Sequence, residues 1–229
     1  MRTPSPREDA TPVSADPSGP HLDDAELEAF LRVEMHSDPA HDLLHVRRVV
    51  ATASKLAEES GASLEVVRLA AWLHDCVTVA KDSQQRSQAS RIAAERAGEF
   101  LGTHRYSDAT ISAVVHAIEA HSFSADIPPR TLEARVVQDA DRLDALGAIG
   151  VARCLMVGAK LDRPLYQPVD PFCDRRDPDD NRATIDHFFT KLLGLSDTMQ
   201  TSSGRREADR RTQFMHGYLE QLRSEIPSE

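Results

Sequence analysis

Residues 64–77, LEVVRLAAWLHDCV, place apolar side chains on nearly every face of a helix and then end in a histidine and an aspartate. A helix that is apolar all round belongs inside a molecule, so other helices must surround this one. A carboxylate at its end is costly to bury unless it is paired or bound to a cation. The segment therefore calls for a helical bundle and for a partner to Asp75.

The rest of the chain supplies the bundle. Asp23 or Asp24 caps a helix with Leu27, Phe30 and Leu31 on one face, and residues 42–60 follow with Val46, Val49, Val50, Ala53 and Leu56 at helical spacing until Gly61 stops them. Ser63 caps the apolar segment itself. Ser83 caps a helix ending near Gly102, and Ser107 one that contains Val114, Val115 and Ile118. Residues 131–157 form a further helical stretch interrupted by Gly147 and Gly150. A loop rich in proline and acids spans about 162–181, long enough to suggest a lid. Helices over about 183–195 and 204–225 complete the chain. With aromatics at 5% and no alternating strand pattern, the fold class is all-α. Residues 1–20, with Pro4, Pro6, Pro12, Pro17 and Pro20, read as a disordered tail, and 21–229 as one domain with a C-terminal helical extension.

Charge and cysteine narrow the function. The 27 basic residues against 37 acidic ones give a net charge of −10, which excludes a broad nucleic-acid footprint. An acidic protein acting on an anion needs a metal or a few placed cations. Cys76, Cys154 and Cys173 form no CxxC pair, so neither a disulfide framework nor a zinc ribbon is expected. Without a signal-like N-terminus or a membrane-length apolar run, a cytoplasmic protein with no membrane partner is expected.

Three places carry the chemistry. The first is His74-Asp75. The second is VVQDADRLDALGAIG (136–150), where Asp141 and Asp144 lie three apart on an apolar helix and repel unless a positive centre stands beside them. Asp139 there reads as a cap or an exposed residue. The third is HDLLHVRRVV (41–50), where His45 sits beside the apolar stripe and points inward. Two histidines and two aspartates make a good N/O set for Mn²⁺, Ni²⁺, Co²⁺, Fe²⁺, Zn²⁺ or Mg²⁺. Such a set leaves positions for water and a phosphoryl oxygen.

A histidine, a His-Asp pair some thirty residues later and a distant Asp in an ADRL helix resemble the HD-domain superfamily. HDLLHVRRV, LAAWLHDCV, HAIEAHSFS, VVQDADRLDALGAIG and IDHFFTKLLGL together resemble its small bacterial YedJ/YpgQ-like group over about residues 25–225. The resemblance implies an HD-domain helical bundle with a buried metal site. It also implies a metal-dependent phosphohydrolase acting on a phosphoester or phosphoanhydride, commonly of a nucleotide or a related phosphorylated metabolite. By position, His45, His74, Asp75 and Asp141 match the metal ligands, and His41 and Asp42 a place beside the site. Other members carry an acid just after the pair; here Thr78 stands there, so the base falls to Asp144 or to the metal-activated water alone.

Around this site Asp75 and Asp144 are the expected catalytic residues, Asp144 being alternatively a partner of Arg142 or Arg153. Lys81, Arg86 and His116, with His41, are the expected substrate contacts. Arg91 reads equally as a solvated charge. His116 and His121 are also weighed as ligands of a second metal, which would suit a dinuclear-iron oxygenase on the same scaffold. A helical regulatory module with a structural metal is the non-catalytic alternative. A homodimer is left open.

Overall fold

The computed structural model describes residues 20–34, 42–77, 88–122 and 125–227, and every regular element among them is helical. The first, α1 (Asp24–Glu34), starts with a reciprocal cap: Asp23 Oδ1 accepts the Glu26 N–H and Glu26 Oε2 accepts the Asp23 N–H, each at 2.8 Å. Its Leu27 and Leu31, one turn apart, are fully buried. Next, α2 (Leu43–Ser60) is capped by Asp42, whose side chain accepts the His45 N–H at 2.8 Å. Gly61 ends it at φ 75°, a left-handed conformation that favours glycine.

The apolar segment is α3 (Leu64–Leu73), with Val66, Val67, Leu69, Ala70, Ala71, Trp72 and Leu73 all buried. Each large aliphatic side chain so buried contributes roughly 1.5–3 kcal/mol. Around it pack α2, α5 (Asp108–His121) and α6 (Leu132–Leu143), while α1 covers one end and α4 (Ala89–Thr103) backs α5. Ser107 and Thr131 cap α5 and α6 through the Thr110 and Ala134 N–H groups. The Ser83 cap expected for α4 lies outside the described residues.

The break in 131–157 falls at residues 144–146, before α7 (Gly147–Lys160). Only Gly147, at φ 70°, interrupts the chain. Gly150 continues the helix, and its requirement is space: a Cβ there would lie 2.2 Å from the Ala145 carbonyl oxygen.

The expected helix over 183–195 is shorter than its sequence suggests. Lys191 leaves the helical region at φ −141°, which divides the stretch into α8 (Asp186–Thr190) and a 3-10 helix (Leu192–Thr198). The last helix, α9 (Ser202–Glu225), packs on α7 and reaches α6 and α2. Asp139 draws it in. This carboxylate, expected at a cap or exposed, is fully buried and accepts the Gln200 and Thr201 N–H groups, both at 2.8 Å, and the Thr201 hydroxyl at 2.7 Å.

The loop before α8 is pinned rather than free. Asp170 accepts the N–H groups of Asp174, Arg175 and Arg176. Arg176 holds the fully buried Asp186 through both nitrogens, at 2.5 and 2.8 Å. Arg223 of α9 grips Asp174 at 2.6 and 3.0 Å. Those fastenings fit a clasp between α7, α8 and α9 better than a lid.

Candidate metal centre

Four elements converge on one space. The buried His45 comes from the first turn of α2, and His74 caps the C-terminus of α3 with Asp75 directly after it. Asp141 comes from the last turn of α6, and His121 ends α5. The His45 and His74 Nε2 atoms lie 3.4 Å apart. Asp141 Oδ1 lies 3.4 Å from His45 Nε2 and 3.9 Å from His74 Nε2. Asp75 Oδ2 lies 3.8 and 3.5 Å from the same two nitrogens, and Asp75 Oδ1 lies 3.7 Å from His121 Nε2. Donor atoms about 2.1 Å from a shared ion at tetrahedral angles lie about 3.4 Å apart, so the spacing fits one cation.

The imidazoles are also oriented for that purpose. Acceptors engage all three Nδ1 atoms: the Asp144 carboxylate at 2.7 Å for His45, the Ala71 carbonyl at 2.8 Å for His74 and the Ile118 carbonyl at 2.6 Å for His121. An Nδ1 that donates a proton leaves the Nε2 lone pair directed at the centre, the tautomer a metal requires. Two overlapping groups meet the demand for a cation site, His45-His74-Asp141 and His74-Asp75-His121.

The charges agree. Burial opposes a proton on His45, but hydrogen bonds to Asp141 and Asp144 outweigh it and push His45 up to about 9. Burial works against the Asp141 carboxylate too, yet His45 holds it well below the usual carboxylate range. At His74 burial prevails and lowers the value. The site favours positive charge between its carboxylates, and a divalent ion supplies it without protonating a ligand.

Asp144 takes the ion-pair alternative that its sequence position offered, with Arg153, and stands beside the site as well. It is almost fully buried on the far edge of the His45 ring. Arg48 donates to both its oxygens, at 2.7 and 3.0 Å, and Arg153 adds a third hydrogen bond at 2.7 Å. Burial would raise this carboxyl, but His45 and the arginines hold it down to about 2. Its oxygens are thus engaged by two guanidiniums and the His45 ring, contacts that fix the orientation of that ring.

His116 lies apart from the cluster, and its Nε2 accepts the Arg130 N–H at 3.0 Å. His121 takes the inward position instead. Sequence reasoning offered Arg153 as a partner of Asp144, but it missed Arg48 and undervalued His121. A wheel signal for His121 existed: it shares a stripe with the buried Val114, Ala117 and Ile118, whereas His116 stands 140° away from it. His41, Thr78, Lys81 and Arg86 lie outside the described residues, and Arg91 is exposed on α4. Cys76, next to the pair, donates to the Ala93 carbonyl, and burial pushes its thiol up to about 12. No helix among the described residues is long and apolar enough to cross a membrane.

Comparison with known proteins agrees with this geometry. The HD domain family model matches residues 43–146, which span His45, His74, Asp75 and Asp141. Bacillus subtilis YpgQ is 34% identical over 191 residues, 82% of this chain and 85% of that protein. A crystal structure of YpgQ in complex with ADP superposes with a TM-score of 0.69 at 32% identity, covering 88% of this chain and 98% of that one. An HD-superfamily hydrolase from Bacillus thuringiensis gives 0.68 at 30% identity, covering 90% and 98%. The chain belongs to the HD-domain superfamily, in the group that contains YpgQ.

Proposed function

We propose that the protein is a metal-dependent phosphohydrolase acting on a nucleotide or a related small phosphorylated metabolite. The observation that carries this reading is the donor set itself. Two buried imidazoles present Nε2 lone pairs, while the side chains of Asp75 and Asp141 keep 25% and 29% of their surface open to solvent. Access is therefore from the carboxylate side. His45, His74, Asp75 and Asp141 would hold the ion. When bound, a divalent ion there lowers the pKa of a water and offsets negative charge on a phosphoryl oxygen.

The protein's own groups then divide the work. Asp144, fixed by Arg48 and Arg153, keeps the His45 ring in register. The carbonyls of Ala71 and Ile118 do the same for His74 and His121. Asp75 is the proposed catalytic carboxylate: its Oδ1 faces the His121 Nε2, and the two would accept a proton as an oxygen nucleophile attacks phosphorus. The ADP bound to YpgQ supports a nucleotide as the substrate class.

The His74-Asp75-His121 group favours one second reading, a dinuclear centre with oxygenase chemistry. The two differ in metal content and in product. Incubating the protein with Mn²⁺, Ni²⁺, Co²⁺ or Mg²⁺ and a panel of nucleotides and phosphorylated metabolites should release phosphate or pyrophosphate. Two irons per chain with no phosphate release from any member would refute the hydrolytic reading.

A further inference from the structure

The His45 ring has two edges. Nε2 faces the cluster of Asp75, Asp141 and His74, while Nδ1 faces Asp144. Asp144 in turn lines a cleft of about 400 Å³ between α2, the 144–146 break with the first turn of α7, and α9. Metal centre and cleft thus lie on opposite sides of one imidazole and its carboxylate.

We propose that this cleft is a second binding site, for a small anion carrying a flat apolar group, of which a nucleoside monophosphate is the type. Its volume falls within the range of small-molecule sites. Arg48, Arg210 and Arg211 line it from two helices. The carboxylates beside them are Asp144, held by Arg48, and Glu207, held by Arg210 and Arg211. Arg210 and Arg211 share the one carboxylate of Glu207, whereas Arg48 answers to Asp144 and Asp42, so the positive charge of the cleft lies on its α9 side, in a chain whose net charge is −10. A guanidinium has five N–H donors, and side-chain contacts here use only part of each set. Planar donor forks of this kind suit a phosphate.

The apolar part has its own wall. Phe214 is 51% exposed and Ile149 is 39% exposed, and both line the same cleft. A large aromatic ring left half in water beside arginines is a stacking surface for a base. The anion has a route to the metal as well. Arg48 shares the Asp144 carboxylate with His45, so a phosphate drawing on Arg48 alters the hold on a metal ligand.

The test uses adenosine monophosphate as the probe and the full chain freed of metal with a chelator. Isothermal titration should show saturable binding with Kd below about 1 mM. Phe214→Ala and Arg210→Gln, both at exposed positions, should weaken it roughly tenfold, the usual effect of losing a stacked ring or a phosphate contact. Ala51→Phe, which fills the cleft from an exposed position on α2, should abolish it. Asp141→Ala should bind as the parent does. Binding that requires Mn²⁺ and vanishes in Asp141→Ala would overturn the proposal, as would no saturation or cleft variants that bind like the parent. None of these outcomes depends on whether the metal centre hydrolyses nucleotides.

Discussion

Replacing Asp144 with asparagine separates two roles for this residue. The carboxylate is almost wholly buried, and its hydrogen bonds to His45, Arg48 and Arg153 lie between 2.7 and 3.0 Å. An amide keeps the shape but removes the charge, and it must turn an NH₂ toward at least one donor. Removing one partner of a buried ion-pair network typically costs about 3–5 kcal/mol. Arg48 and Arg153 keep 35% and 23% of their side-chain surface, so solvent recovers part of that and the lower end applies. A loss of about 3 kcal/mol in a chain of this size lowers Tm by roughly 6–12 °C. His45 loses its anionic anchor at the same time, and changes of that kind cost 10–100-fold in metal affinity. Scanning calorimetry in chelator measures the first effect. Titration with Co²⁺, followed through its visible absorption, measures the second. A variant with parental Tm and parental Co²⁺ affinity would refute the orienting role. Parental affinity with lost turnover would restore Asp144 as the base.

Three further outcomes follow from the same geometry. Asp75→Ala and Asp141→Ala should each abolish phosphate release with little change in the far-ultraviolet helical signal, because both side chains are partly open; surviving activity in both variants would contradict the site. Gly204→Ala should destabilise by about 1–3 kcal/mol by urea titration, since a Cβ would lie 2.3 Å from Asp139 Oδ2; a neutral result would mean that α9 does not depend on that close approach. Burial opposes ionisation of Asp186, but Arg176 and the Asp179 N–H hold its value below normal. Its contribution is therefore complete above the unfolded value near ~4 and is lost as pH falls through the folded value. Urea midpoints should decline below about pH 4, and Arg176→Met should flatten that part of the profile.

Much of the arrangement was legible in the residues. The all-apolar α3 required a surrounding bundle, and its terminal His74-Asp75 required either a charged partner or a cation, because a buried carboxylate left alone is costly. His45 followed from its place beside the stripe of Val46, Val49 and Val50. Asp144 was half legible. Spacing put it beside Asp141 and offered Arg153 as a partner, but Arg48 reaches it from α2, far away in the sequence, and such long-range pairs leave no periodic trace. The same holds for Asp139, which looks like a surface cap until α9 folds back onto it. The 183–195 stretch misled because its apolar pattern is helical, while the backbone departs at Lys191 and the Arg176–Asp186 clasp anchors its start.

On the proposed mechanism His45, His74, Asp75 and Asp141 together hold a single catalytic cation. Metal content by plasma mass spectrometry tests it most directly, after loading with Mn²⁺ and exhaustive dialysis of the parent and of Asp141→Ala. One ion per chain in the parent and none in the variant is the predicted result. A parent that retains no ion, or a variant that retains it fully, would contradict the claim.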